Sequence, residues 1–187
     1  KDRTPVSVPF DLTTLKACGA GDGPRDIMLT NWVSARGGVS TSGNSVTYSG
    51  TPAGWSSNSV NSVPLSSFGV TSDYSVKWTI GSNPAATTWI VGLGVAETST
   101  NWRDVDFGLR SSAGKLTVYE KGVWRTAAGS LVKGDVLEIY VGNQQLEYRL
   151  NGSTIYSRPL RGTENLYVDS SFKSGFIKLD NFMLVTD

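Results

Sequence analysis

From about Asp26 onward, apolar and polar residues alternate in short runs, each closed by Gly, Asn, Ser or Asp. Period-two alternation sends successive side chains to opposite faces, so each run reads as a half-buried β-strand. Strands are predicted over 27–35, 45–49, 73–81, 87–96, 103–111, 115–120, 135–142, 145–150, 153–158, 165–171 and 175–186. No run of helical period exceeds two turns. Many closely spaced strands without intervening helices predict an all-β chain folded as a two-sheet antiparallel β-sandwich.

The same alternation assigns faces. Tyr74, Val76, Trp78 and Ile80 share one side of their run, and Trp89, Val91, Leu93 and Val95 one side of theirs; both sets are expected in the core. In WRDVDFGLR, Val105, Phe107 and Leu109 point inward, leaving Trp102, Asp104, Asp106 and Arg110 outward. Leu137, Ile139 and Val141 point inward and Glu138 and Tyr140 outward; Leu146, Tyr148 and Leu150 point inward and Glu147 and Arg149 outward. Asn151-Gly152 predicts a tight hairpin, because type I′ turns need positive φ at both central residues. The Asn-Gly-Ser triplet is formally a glycosylation acceptor, but the turn already accounts for Asn151 and Gly152. Gly92 and Gly94 alternate with the apolar residues of their strand, which implies close backbone packing or, as the alternative, a shallow groove on the opposite face. Residues 1–25, with Pro5, Pro9, Pro24 and the CGAGDG stretch, read as a linker or arm preceding a sandwich domain over 26–187.

Composition narrows the functional classes. The 187 residues suffice for one sizeable core, and 17 basic against 16 acidic residues, interspersed, leave no electrostatic footprint for nucleic acid. No stretch approaches the roughly 20 apolar residues that span a bilayer, so no membrane partner is expected. Cys18 is the single cysteine, which excludes an intrachain disulfide, and the absence of histidine excludes Ser-His-Asp and Cys-His catalysis and any His-ligated metal. CGAGDG is followed by no helical pattern and is not a phosphate loop. The chain begins at Lys1 without methionine, as a mature or excised chain would, and its composition suggests a secreted or cell-surface setting.

The segment GDVLEIYVGNQQLEYRLNGSTIY (134–156) resembles the concanavalin A-like superfamily of legume-type lectins, laminin-G domains, SPRY domains and bacterial carbohydrate-binding modules: a Gly-Asp turn precedes one strand and an Asn-Gly hairpin follows the next. WRDVDFGLRSSAGKLTVYEKGVW (102–124) is similar to a strand pair in modules of secreted bacterial proteins. The resemblance implies a jelly-roll form of the sandwich in which the first and last strands pair, roles that DIMLTNWV and GFIKLDNFMLV would fill. The clustered Asp/Asn metal loop of legume lectins is missing, so calcium-dependent sugar binding is not implied. No cofactor is expected; a structural calcium ion is the single exception left open.

Sugar recognition needs flat aromatic surfaces flanked by carboxylates, amides and guanidinium groups. Trp55 and Trp124 lie in turn-rich segments where no periodicity demands burial, and Trp102 opens the strand bearing Asp104 and Asp106. Trp55, Trp102 and Trp124, with Asp104, Asp106, Arg110, Tyr119, Glu138 and Tyr140, are the candidate ligand-binding residues, Lys115 sharing their face; plugs at the sandwich ends and a merely solvated face are their structural alternatives. The reading is a non-catalytic carbohydrate-binding module acting as a monomeric part of a larger protein. A protein-interaction or virion-structural sandwich is the second reading. A carboxylate-based glycan lyase or hydrolase is the third, because Asp104 and Asp106 at i, i+2 on a strand would have Cα atoms about 6.5–7 Å apart, near the glycosidase range.

Overall fold

The computed structural model describes residues 25–55, 57–70, 73–95, 99–160 and 165–186. Cys18 and the expected arm before Arg25 lie outside them. The described strands are β1 (Arg25–Met28), β2 (Trp32–Arg36), β3 (Val39–Ser42), β4 (Ser45–Tyr48), β5 (Ser59–Ser62), β6 (Tyr74–Ile80), β7 (Thr88–Gly94), β8 (Phe107–Ser112), β9 (Lys115–Glu120), β10 (Val123–Ser130), β11 (Val136–Gly142), β12 (Gln145–Leu150), β13 (Ser153–Pro159), β14 (Tyr167–Ser174) and β15 (Ile177–Thr186).

They form an eight-stranded sheet in the order β13-β12-β11-β6-β15-β4-β3, with β1 also on β15, and a five-stranded sheet in the order β10-β9-β8-β7-β14. Every pairing is antiparallel, and the chain is an all-β sandwich. The first and last strands pair as expected, Arg25 opposite Thr186. A short β2–β5 pair extends the five-stranded sheet beyond β14. There the Ser170 hydroxyl takes a place in the ladder, accepting from Val60 N (3.0 Å) and donating to Val60 O (2.6 Å).

One core fills the space between the sheets. Val76, Trp78, Ile80, Leu137, Ile139, Leu146, Tyr148, Leu179, Phe182 and Leu184 face Trp89, Val91, Leu93, Leu109, Leu116, Val118, Val168 and Phe172. Trp78 stacks on Phe182 at 5.6 Å and Trp32 meets the same ring edge-on at 5.0 Å. Alternation breaks once in β15: a register shift between Asp180 and Met183, with Asn181 at φ 56, lets both Leu179 and Phe182 point inward. Val95, expected in the core, is exposed because β7 ends one residue earlier.

Four hairpins turn on pairs of consecutive positive-φ residues, Ala113–Gly114, Lys121–Gly122, Asn143–Gln144 and Asn151–Gly152. This is the type I′ pattern that matches strand twist. The predicted strand over 27–35 is two strands in different sheets: Leu29 N still donates to Phe182 O of β15, but Trp32 already pairs with Ser62 of β5. β3 and β5 escape the pattern because VSTS and SVNS carry little apolar contrast, and β10 because this edge strand is exposed along most of its length.

A polar tie crosses between the sheets at β9. Glu120 at the end of β9 points inward and is 2% exposed; its Oε2 accepts from Arg125 Nε (2.8 Å) and Arg158 Nη1 (3.3 Å), and its Oε1 from Tyr148 OH (3.2 Å). The tie fastens the β9–β10 hairpin to β12 and β13.

Candidate functional site

On the outer face of the five-stranded sheet, strand register aligns one row across all five strands: Asp169, Gly92, Gly108, Tyr119 and Trp124. Four interstrand steps make that row about 19 Å long. Tyr119 and Trp124 point outward because their neighbours Leu116, Val118 and Glu120 take the inward positions of β9. Trp124 is 56% exposed. Arg110 lies on the same face of β8, between the buried Leu109 and Ser111.

Two loops bring further aromatics over this face. Trp55 and Trp102 are half-buried and pack against each other at 5.7 Å, and Trp102 meets Tyr119 edge-on at 5.4 Å. The Ser171 hydroxyl sits between the carbonyls of Trp55 (2.8 Å) and Thr100 (2.9 Å), donating to one at a time and fastening both loops to β14. The Arg110 guanidinium lies 5.7 Å from the Trp55 ring, 5.7 Å from Trp102 and 5.1 Å from Tyr119, and its Nη1 donates to Tyr119 OH at 3.2 Å. Cation–π attraction of this kind is worth about 0.5–2 kcal/mol per contact, growing as the site loses water.

The sequence-derived set therefore divides. Trp55, Trp102, Arg110, Tyr119 and Trp124 come together. Lys115 is on the same sheet but spends its ammonium on Ser130 Oγ at 2.7 Å. Asp104 and Asp106 do not project from a strand, and this corrects the expected strand over 103–111. Asn101 caps a short 3-10 turn at Trp102–Asp104, its side chain accepting from Arg103 N, and β8 begins only at Phe107. Asp104 Oδ2 accepts from Ser99 N (2.7 Å), and Asp106 Oδ2 from Val95 N (2.8 Å) with Lys121 beside it at 3.7 Å. Both carboxylates tie down loops, so the i, i+2 strand geometry invoked for a hydrolytic pair does not exist here.

Glu138 and Tyr140 are the second correction. They sit on β11, in the eight-stranded sheet, because the chain leaves the five-stranded sheet after β10 instead of continuing beside it. Glu138 is buried under Arg149 (3.1 Å) and Lys77 (3.8 Å). Tyr140 lies under the Arg149 guanidinium at 4.6 Å, and its hydroxyl contacts Asp73 at 3.4 Å. In that cluster the hydrogen bond from Arg149 holds the Glu147 carboxyl below its ordinary range.

Three residues absent from the sequence-derived set share the site's sheet face. Asp169 and Tyr167 point outward from β14, and Asn61 reaches Asp169 from β5, its Nδ2 donating to Oδ1 at 3.2 Å. Alternation in YVDSSF could have placed Asp169; Asn61 lies in a strand without a readable pattern. Gly92 is a close-packing residue, since a Cβ there would run into the Phe107 carbonyl. At Gly94 a Cβ would crowd Tyr167 (3.2 Å) and Asp169 (3.3 Å), so this glycine makes room for side chains on the face. Among the described residues no group of three or more His, Cys, Asp or Glu side chains is placed to hold a metal.

No family model and no curated protein matches the chain by sequence. Solved structures do match. The Emp46p carbohydrate recognition domain, in its potassium-bound form, aligns with a TM-score of 0.58 at 10% identity, over 85% of this chain and 89% of that one. Carbohydrate-binding module CBM66 from Bacillus subtilis aligns at 0.52 and 10% identity, over 82% and 94%. Alginate lyase AlgAT5 of polysaccharide lyase family 7 aligns at 0.51 and 8% identity, over 77% and 78%. At such identities the likeness establishes the fold alone, an antiparallel β-sandwich on which binding domains and a lyase are both built.

Proposed function

We propose that this chain is a non-catalytic carbohydrate-binding module, engaging a glycan on the outer face of its five-stranded sheet as part of a larger secreted or cell-surface protein. The observation that carries the reading is the exposed Trp124 in register with Tyr119, continued by the Trp102 and Trp55 rings around Arg110. Sugar rings stack their C–H faces on such aromatic surfaces, and adjacent polar groups read the hydroxyls. Two of the similar folds carry carbohydrate binding in their names. A binding role is favoured over hydrolysis because Asp104 and Asp106 are already engaged with backbone amides.

Affinity electrophoresis and calorimetry against a polysaccharide panel test this. Trp124→Ala is expected to weaken binding about 30-fold, the effect of an aromatic anchor worth about 2 kcal/mol, while its circular dichroism stays that of the parent. Retained affinity in Trp124→Ala and Trp102→Ala alike, or release of reducing ends from any polysaccharide bound, would overturn the proposal.

A further inference from the structure

We infer that the glycan is acidic, its anionic group seated on Arg110 at the centre of the aromatic cluster. The inference rests on the binding role proposed above and adds the charge of the ligand. Among the described residues the other half-buried cations all sit beside carboxylates: Arg158 on Glu120, Arg149 on Glu138 and Glu147, Lys77 on Glu138. Arg110 does not. Among the described residues it forms no ion pair, its Nη1 is held by a neutral phenol, and its Nε is buried without a hydrogen-bond acceptor. With most of its donors unspent, a half-buried guanidinium surrounded by aromatic rings offers them to an incoming acceptor.

A second cation lies on the same indole. The Arg103 guanidinium is 5.3 Å from the Trp102 ring, is exposed, and also forms no ion pair among the described residues. The nearby acids that would compensate these charges are committed elsewhere, Asp104 and Asp106 to loop amides and Asp169 to Asn61 Nδ2 and Ser170 N. Trp102 is thus flanked by two arginines without acidic partners, in a site that otherwise has the flat rings of a sugar platform. Guanidinium donors fit carboxylate and sulfate oxygens, so uronate-type and sulfated sugars share the chemistry that this pair recognises.

The test measures binding of the whole chain to three classes of polymer, polyuronates, sulfated polysaccharides and neutral polysaccharides, at low and high salt. Arg110→Gln, Arg110→Lys and Arg103→Gln are compared with the parent. Preference for one acidic class, weakening with salt, and a loss of about tenfold or more in Arg110→Gln support the inference. Circular dichroism controls for folding, and Arg103→Gln, at an exposed position, gives a smaller loss that does not depend on core packing. Equal or better binding to neutral polymers, or an acidic preference unchanged in both glutamine variants, overturns it while the binding role stands. Absence of binding to all three classes removes the binding role as well.

Discussion

Gly92 and Gly94 are two residues apart on the same strand and do different work. At Gly92 an added methyl group would meet rigid backbone, the carbonyl of Phe107 and the Cα of Gly108 at 2.7 Å; at Gly94 it would meet side chains, Tyr167 at 3.2 Å and Asp169 at 3.3 Å, where a shift of a few tenths of an ångström relieves the contact. Gly92→Ala is therefore expected to cost about 2–3 kcal/mol of stability, at the overpacking end of core substitutions, and Gly94→Ala less than about 1 kcal/mol. Urea denaturation of both variants checks the order; equal costs would refute the distinction. Sequence alternation located both glycines on the outer face but left open packing or groove, because a Cβ clash depends on how closely the neighbouring strand approaches. Trp102 teaches the converse lesson. Its strand assignment fails, yet the Asn101 cap places the ring on a loop that still delivers it to Tyr119.

At the scale of elements, the β9–β10 hairpin presents Tyr119 and Trp124 outward while Glu120 anchors it inward to β12 and β13. Removing a fully buried ionic partner costs about 3–5 kcal/mol. Here both arginines keep 37% of their side-chain surface in water, so Glu120→Ala is expected to cost about 2–3 kcal/mol, measured by chemical denaturation. It should also loosen the hairpin, seen as faster amide exchange in β10; unchanged protection there would show that the hairpin is held by its ladder alone. The Lys121–Gly122 turn that closes this hairpin has the same two positive-φ residues as Asn151–Gly152. Only the latter was legible in the sequence, because Asn-Gly prefers that geometry on its own, whereas lysine is brought into it by the paired strands.

For the whole molecule, the core supplies a pH response. Burial raises the Tyr74 phenol to about 12 from an ordinary value of 10.0, and burial, reinforced by the neighbouring Glu120 carboxylate, raises Tyr148 well above it. A group whose folded pKa lies above its unfolded value stabilises fully below the unfolded value, and that stability is lost as pH rises. For Tyr74 the window runs from about pH 10 to 12, with a loss of about 2–3 kcal/mol. Tyr74→Phe is expected to flatten that alkaline limb; a stability difference from the parent that is the same at pH 9 and pH 11.5 would contradict it. Period-two burial and turn preferences act over a few neighbouring residues, so the β-sandwich, the inward residues of the periodic strands and the candidate aromatic and arginine side chains were legible along the chain. Which sheet each strand joins was decided only by the tertiary structure. That choice put Tyr119, Trp124, Arg110 and the two loop tryptophans on one surface and sent Glu138 and Tyr140 to the other sheet, because crossovers and register are set by how the two sheets close over a shared core.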